Sequence, residues 1–157
     1  MDLGSLYETH ASDVFRFAFY LSGNRAEAED ITSDTFVRVW SAPGPIEQST
    51  VKGYLFAIAR NLFLQRLRPR SRLQPLEDSL SDPRPGPEVI AANRVAYSEV
   101  LARLQLLPEV DRAVLLMSAF DGIPYADIAK ALEISVPAVK MKIHRARLAL
   151  SRVEESK

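Results

Sequence analysis

Apolar residues recur three and four positions apart along most of this chain, the spacing that turns one face of an α-helix toward a core. The pattern predicts helices over roughly 4–22, 25–41 and 51–68, and again over roughly 88–106, 109–121, 124–132 and 136–153. In the third of these, Leu55, Ile58, Ala59 and Leu62 form the core-facing stripe, while Tyr54, Asn61, Gln65 and Arg68 line up on a different, largely polar face. In the last, Val139, Ile143, Ala146 and Leu150 make the buried stripe. Neither convincing strand alternation nor an internal repeat is present, so the fold class is all-α.

Proline divides the pattern in two. Five of the ten prolines, Pro69, Pro75, Pro83, Pro85 and Pro87, fall in the stretch PRSRLQPLEDSLSDPRPGP. Each removes a backbone donor and fixes φ, so the stretch reads as an extended tether. The predicted architecture is two small helical domains, 1–68 and 91–157, joined by a flexible, proline-rich linker over 69–90.

Near the C-terminus, IPYADIAKALEISVPAVKMKIHRARLAL reads as a short helix, a tight turn and a basic helix. Ile128, Ala129 and Leu132 share one face of the first. Ser135 is placed to cap the second, and Pro137 is tolerated in its first turn because those N–H groups lack partners in any case. This is a helix-turn-helix pattern, whose second helix can enter a DNA major groove.

Charge sharpens the picture. The formal net charge is zero, yet it alternates in blocks: −5 over residues 1–37, +6 over 38–72, −4 over 73–121 and +3 over 122–157. Two basic blocks suit two phosphate-facing patches, with acidic surfaces turned elsewhere. Tyr54, Asn61, Gln65 and Arg68 could stack on bases, read base edges and hold phosphates; a solvated face with a tyrosine at its rim gives the same spacing.

Composition excludes several chemistries. The chain has 157 residues and no cysteine, which removes disulfides, thiolate chemistry and Cys-based zinc sites. The two histidines, His10 and His144, fall in different domains, and the cluster Glu27, Glu29, Asp30 and Asp34 has no histidine beside it, so no metal or other cofactor is expected. No catalytic Ser/His/Asp set, P-loop or apolar run of membrane-spanning length occurs, so the expected protein is a non-enzyme in the cytoplasm with no membrane insertion of its own.

The combination of EAEDITSDTFVRVW, GYLFAIARNLFLQRLRPR, the proline-rich tether and the C-terminal helix-turn-helix resembles the extracytoplasmic-function (ECF) sigma factors, the minimal two-domain members of the bacterial sigma-70 family. The resemblance runs from Leu6 to about Arg152. It implies a region 2 bundle followed by a region 4 helix-turn-helix, with core RNA polymerase, promoter DNA and an anti-sigma factor as partners. Asp30, Asp34, Phe36, Arg38 and Trp40 match the segment that grips the polymerase clamp, although Trp40 reads first as a core residue with polymerase contact beside it.

The loop Ser41–Thr50 and the following helix match the element that captures the downstream (−10) promoter element, with Tyr54, Arg60, Asn61, Gln65 and Arg68 facing DNA. Asn61 stands where the family's IARN signature places a base-reading side chain. Arg66, Arg70 and Arg72 add phosphate contacts, and Gln65 stands where aspartate is usual. Pro137, Ala138, Lys140, Met141, His144 and Arg145 match the reader of the upstream (−35) element, with Pro137-Ala138 in place of the usual Gly-Thr, Met141 in place of serine, and Pro124 in place of a serine cap. Two other functions fit the same residues: a stand-alone helix-turn-helix regulator of duplex DNA, and an adaptor that engages polymerase without reading DNA.

Overall fold

A computed structural model describes residues 3–41, 51–72 and 99–155, together with the side chains of these segments up to Leu67 in the second and Ser151 in the third. The loop 42–50, most of the linker, the first part of the helix expected over 88–106, and the side chains of Arg68, Arg70, Arg72 and Arg152 lie outside the described residues. The described residues form helices α1 (Leu3–Ser22), α2 (Arg25–Ser41), α3 (Val51–Arg72), α4 (99–105), α5 (Glu109–Leu115, continued as a π-helical turn over Leu116–Phe120), α6 (Tyr125–Leu132) and α7 (Val136–Glu155).

The first three helices make one bundle. In α1, Leu6, Val14, Phe17, Ala18 and Leu21 are buried at helical spacing. The helix stops at Gly23, whose φ of 74° suits glycine, and whose N–H bonds back to the Phe19 carbonyl at 2.7 Å. Asn24 then caps α2, its Oδ1 accepting the Glu27 N–H at 2.8 Å, so two residues reverse the chain. In α2 the buried hydroxyls of Thr32 and Thr35 donate to the Ala28 and Ile31 carbonyls, each at 2.7 Å, so neither carries an unpaired donor into the core. Phe17 and Phe56 stack with centroids 4.4 Å apart at the centre of the bundle.

α3 continues past Pro69 to Arg72, so the first domain extends beyond 68. A single proline near a helix end forfeits one hydrogen bond while its φ remains helical, and one lost bond does not end the helix. Of the predicted stripe Leu55, Ala59 and Leu62 are buried, joined by Phe56 and Phe63, whereas Ile58 is half-buried.

The second bundle follows the predicted register closely. Ile128, Ala129 and Leu132 of α6 and Val139, Ile143 and Ala146 of α7 are buried, with Leu150 packed at the edge. Ser135 Oγ accepts the Ala138 N–H at 3.2 Å, which makes it the cap of α7. The turn between these helices passes through Glu133 at φ 60°, a left-handed position for a residue with a Cβ. Pro124 starts α6 without a side-chain cap; its carbonyl takes the Asp127 and Ile128 N–H groups instead.

The two bundles are docked on one another, and their buried side chains form one cluster. Tyr20 of α1 meets Phe120 edge-on at 5.5 Å. Arg112 of α5, itself buried, donates to three carbonyls: Leu104 in the last turn of its own bundle's α4, Leu107 in the turn that follows, and Leu21 in the last turn of α1. The carbonyls of a helix's last turn have spare acceptor capacity there, and the Leu104 carbonyl also takes the Leu107 N–H at 3.0 Å. Burial pulls the Arg112 guanidinium below its ordinary pKa, opposed by the nearby Glu109.

Candidate functional site

Three helix faces carry the expected functional residues. On α2, Asp30, Asp34 and Arg38 are exposed, as an external docking face requires. Asp34 and Asp30 lie 3.3 and 3.8 Å from Arg66 of α3, so their charge is shared with an internal cation while both stay largely in solvent.

Two residues of this helix exchange the roles expected of them. Phe36 is 5% exposed and meets Tyr7 edge-on at 4.9 Å, so it fastens α2 to α1 and does not present itself to a partner. Trp40 is 74% exposed, so core packing is not its role. α1 and α2 run antiparallel from the Gly23 turn, so Phe36 is covered by Tyr7, whereas Trp40, one turn further along α2, is left uncovered by the described residues.

On α3, Asn61 and Gln65 are exposed, whereas Tyr54 is half-buried against the core. Arg60 points elsewhere. Its Nε and one terminal amine donate to the two carboxylate oxygens of Glu109 at 2.6 and 2.8 Å, with both side chains less than a fifth exposed. This is a bidentate fork across the two bundles, the strong form of an ion pair. A neighbouring cluster joins them again: Asp121, 2% exposed, accepts from Arg16 at 2.8 Å and Lys52 at 3.5 Å, and Asp13 lies 3.3 Å from both cations. Burial lifts the Asp121 carboxyl above its ordinary value, only partly offset by Arg16 and Lys52.

On α7, Pro137, Lys140, Met141 and His144 are exposed and Ala138 is half-buried. These side chains leave a mixed cationic and apolar face free for a groove. Arg145 is 56% exposed, yet its fork is already closed on Asp111, two bonds at 3.0 Å. Lys142 approaches the same carboxylate at 3.7 Å. The Asp111 bonds hold the Arg145 guanidinium even more firmly protonated. Arg145 therefore pins the basic helix to α5, a contact invisible to local spacing because the partners lie in different helices.

Sequence reasoning missed the acids that receive these cations. Glu109, Asp111 and Asp121 all belong to α5 and its π-helical extension or the residue just beyond it. The only signal available was the acidic excess of the third charge block.

Comparison with known proteins returns two family models in chain order: Sigma-70 region 2 over residues 6–73 and Sigma-70, region 4 over residues 97–150. The chain is 34% identical to the ECF RNA polymerase sigma factor SigE of Mycolicibacterium smegmatis over 90% of its own length, and spans 57% of that relative. It is 31% identical to the ECF RNA polymerase sigma factor SigL of Mycobacterium tuberculosis, over 93% of this chain and 85% of SigL. Among solved structures, the sigma factor RpoE in complex with the anti-sigma factor NepR from Bartonella quintana matches with TM-score 0.78 and 23% identity, covering 97% of this chain and 96% of RpoE. CnrH, solved with the cytosolic domain of CnrY, matches with TM-score 0.73 and 25% identity over 99% of this chain and 88% of CnrH.

Proposed function

This chain belongs to the ECF RNA polymerase sigma factors of the sigma-70 family, and from that premise we propose that it binds core RNA polymerase, directs it to promoters and helps to melt them. One observation carries the reading. The two matched regions stand in order, and each leaves a helix face open where a partner would sit: Asn61 and Gln65 on α3, and Lys140, Met141 and His144 on α7.

In this reading the exposed face of α2, with Asp30, Asp34, Arg38 and Trp40, docks on the polymerase clamp. Acids and an amphipathic indole suit a basic partner surface with an apolar pocket. The α3 row reads the −10 element on the melted strand. Extruding a base costs a few kcal/mol of unstacking, which stacking and hydrogen bonds must offset. The α7 face reads the −35 element. With Arg145 held by Asp111, base discrimination there falls to Lys140, Met141 and His144, and an exposed methionine suits the thymine methyl group. The role is regulatory and non-catalytic, and its place is the cytoplasm.

Control by an anti-sigma factor belongs to the same proposal, supported by the shared fold of RpoE, which is held by NepR, and of CnrH, held by part of CnrY. With no cysteine in the chain, direct thiol sensing would have to reside in that partner. The test is transcription in vitro from a promoter library, using purified core polymerase with and without this protein. Protein-dependent transcripts support the reading, and their alignment gives both elements. Stable core binding without transcripts would point to an adaptor. Specific duplex binding without core binding would point to a stand-alone regulator.

A further inference from the structure

α7 carries its cations on two flanks of one exposed ridge. At about 100° per residue, Pro137, Met141, His144 and Leu148 fall in line along the helix, opposite the buried stripe, and all four are exposed. Lys140 lies about a fifth of a turn to one side of that ridge. Arg145 lies as far to the other side, and Lys142 further round, toward α5. Among the described residues, only this second flank meets a carboxylate, that of Asp111.

The Asp111 side chain is 2% exposed, so α5 holds a carboxylate almost wholly out of water. A charge placed there is costly unless it is paired. Two N–H groups of Arg145 at 3.0 Å and the Lys142 ammonium at 3.7 Å supply the pairing. All three groups belong to the C-terminal bundle, so the arrangement is complete within it.

We propose that Asp111 acts as an internal stand-in for phosphate: it withdraws the Lys142 and Arg145 flank from DNA and so limits how tightly α7 holds a duplex of any sequence. That α7 is the element meeting DNA rests on the function proposed above. Asp111 is then a positioning residue, acting on binding through the cations it holds.

Competition carries the first half. A guanidinium offers the same fork to a carboxylate and to a phosphate, so one edge of Arg145 cannot serve both. Arg145 is 56% exposed, so what keeps phosphate from that edge is its occupant and not a cover of protein. A phosphate that displaced Asp111 would strand a carboxylate shielded from solvent. The pull is also directed toward α5, whereas the ridge faces away from the core.

The consequence for binding is electrostatic. Each phosphate neutralised adds about 0.9 to the slope of log K against log salt, whatever the base sequence. Removing these two cations from the contact set weakens binding to every duplex alike. The share carried by base contacts from Met141 and His144 on the ridge is larger for it.

The test titrates the full chain against a fluorescently labelled mixed-sequence duplex of about 20 base pairs, by anisotropy over a series of salt concentrations. Asp111→Asn should bind about fivefold tighter or more at about 0.1 M salt, with a slope steeper by about one to two. Adding Arg145→Ala to Asp111→Asn should take back about one of that slope. Glu133→Gln removes an equal charge from the same bundle while pairing with neither cation, and should leave the slope unmoved. Equal or weaker binding by Asp111→Asn is what a purely structural ion pair predicts, and it would overturn the proposal. So would a rise that Glu133→Gln reproduces, a rise that survives the loss of Arg145, or no binding by either chain.

Thermal unfolding checks the fold of each variant. Should Asp111→Asn not fold, the wild type decides the matter by NMR as the same duplex is added. The Arg145 Nε–H resonance should hold its position while the Lys140 and Met141 amides move; an Nε–H that moves with them would mean that Arg145 leaves Asp111 for DNA, and would overturn the proposal. The two readings fail separately. Transcripts from the promoter library with no change of slope in Asp111→Asn would keep the sigma reading and sink the role of Asp111. A steeper slope without transcripts from any promoter would do the reverse.

Discussion

Trp40 gives the sharpest separation between a binding residue and a folding residue. A tryptophan side chain offers about 150–250 Å² to a partner. With 74% of Trp40 exposed, roughly 150 Å² remains to be covered, equivalent to about 4 kcal/mol at about 25 cal/mol per Å². Ordering the side chain and desolvating its N–H reduce this, leaving about 2–3 kcal/mol, the usual size for an aromatic hot spot. Trp40→Ala should therefore weaken binding to core polymerase about thirty- to a hundredfold. The same substitution should change folding stability by less than about 0.5 kcal/mol, because it removes little that the fold covers.

Phe36→Ala is the matched control, one turn away and buried against Tyr7. It should cost about 3–5 kcal/mol of stability, as other buried phenylalanines do. The assay is a titration of fluorescently labelled protein against core polymerase, run beside urea unfolding of each variant. A marked drop in the stability of Trp40→Ala, with polymerase affinity within threefold of wild type, would refute the assignment. Such a result would mean that the indole packs inside the protein.

Phe56→Ala should lose about 3–5 kcal/mol in urea unfolding, since it empties a fully buried site and removes the stack on Phe17; a loss below about 1 kcal/mol would mean the core collapses around the gap. Asn61→Ala should impair promoter opening, followed by permanganate reactivity, much more than polymerase binding; equal loss of both would take Asn61 off the DNA-facing row. Asp121 supplies a pH test. Its carboxyl is raised by burial despite Arg16 and Lys52, with Asp13 adding to the rise, so its contribution to stability is fully present below the unfolded value of about 3.9 and is lost as pH rises through the folded value. Asp121→Asn, neutral throughout, should then melt at or above wild type at pH 7 and lose that advantage toward pH 4. A strong destabilisation at pH 7 would show that the two cations outweigh burial.

What the sequence made legible was local. The stripe Val139, Ile143 and Ala146 and the Ser135 cap depend only on neighbours within one or two turns, and spacing reports those directly. The α2 roles were not legible, because Phe36 and Trp40 lie four apart on nearly the same face. What separates them is the Tyr7 ring of α1 over Phe36, a property of the pair of helices and of neither alone. Pro69 misled for the opposite reason: a strong local signal was overridden by a helix that lost only one bond to it. Glu109, the partner of Arg60, and Leu21, the most distant of the three partners of Arg112, lie 49 and 91 residues away in the chain, beyond any periodicity.

The alternating charge blocks acquire a different meaning once the partners are known. They were expected to expose two basic patches for phosphate. Instead, acids of the third block reach into both basic ones: Glu109 takes Arg60, Asp121 takes Lys52, and Asp111 takes Arg145 and Lys142. The first block adds Asp30 and Asp34 to Arg66. Among the described residues, Lys52, Arg60 and Arg66 of α3 and Lys142 and Arg145 of α7 therefore already face carboxylates, whereas Lys140 and His144 keep an exposed face on α7. Pairing of this kind weakens the contribution of those five cations to the non-specific attraction that draws basic proteins onto any duplex. The Arg60–Glu109 pair joins the two bundles, whereas Arg145–Asp111 and Arg66–Asp34 each lie within one, so parting the bundles would free Arg60 for phosphate and leave Arg145 and Arg66 paired.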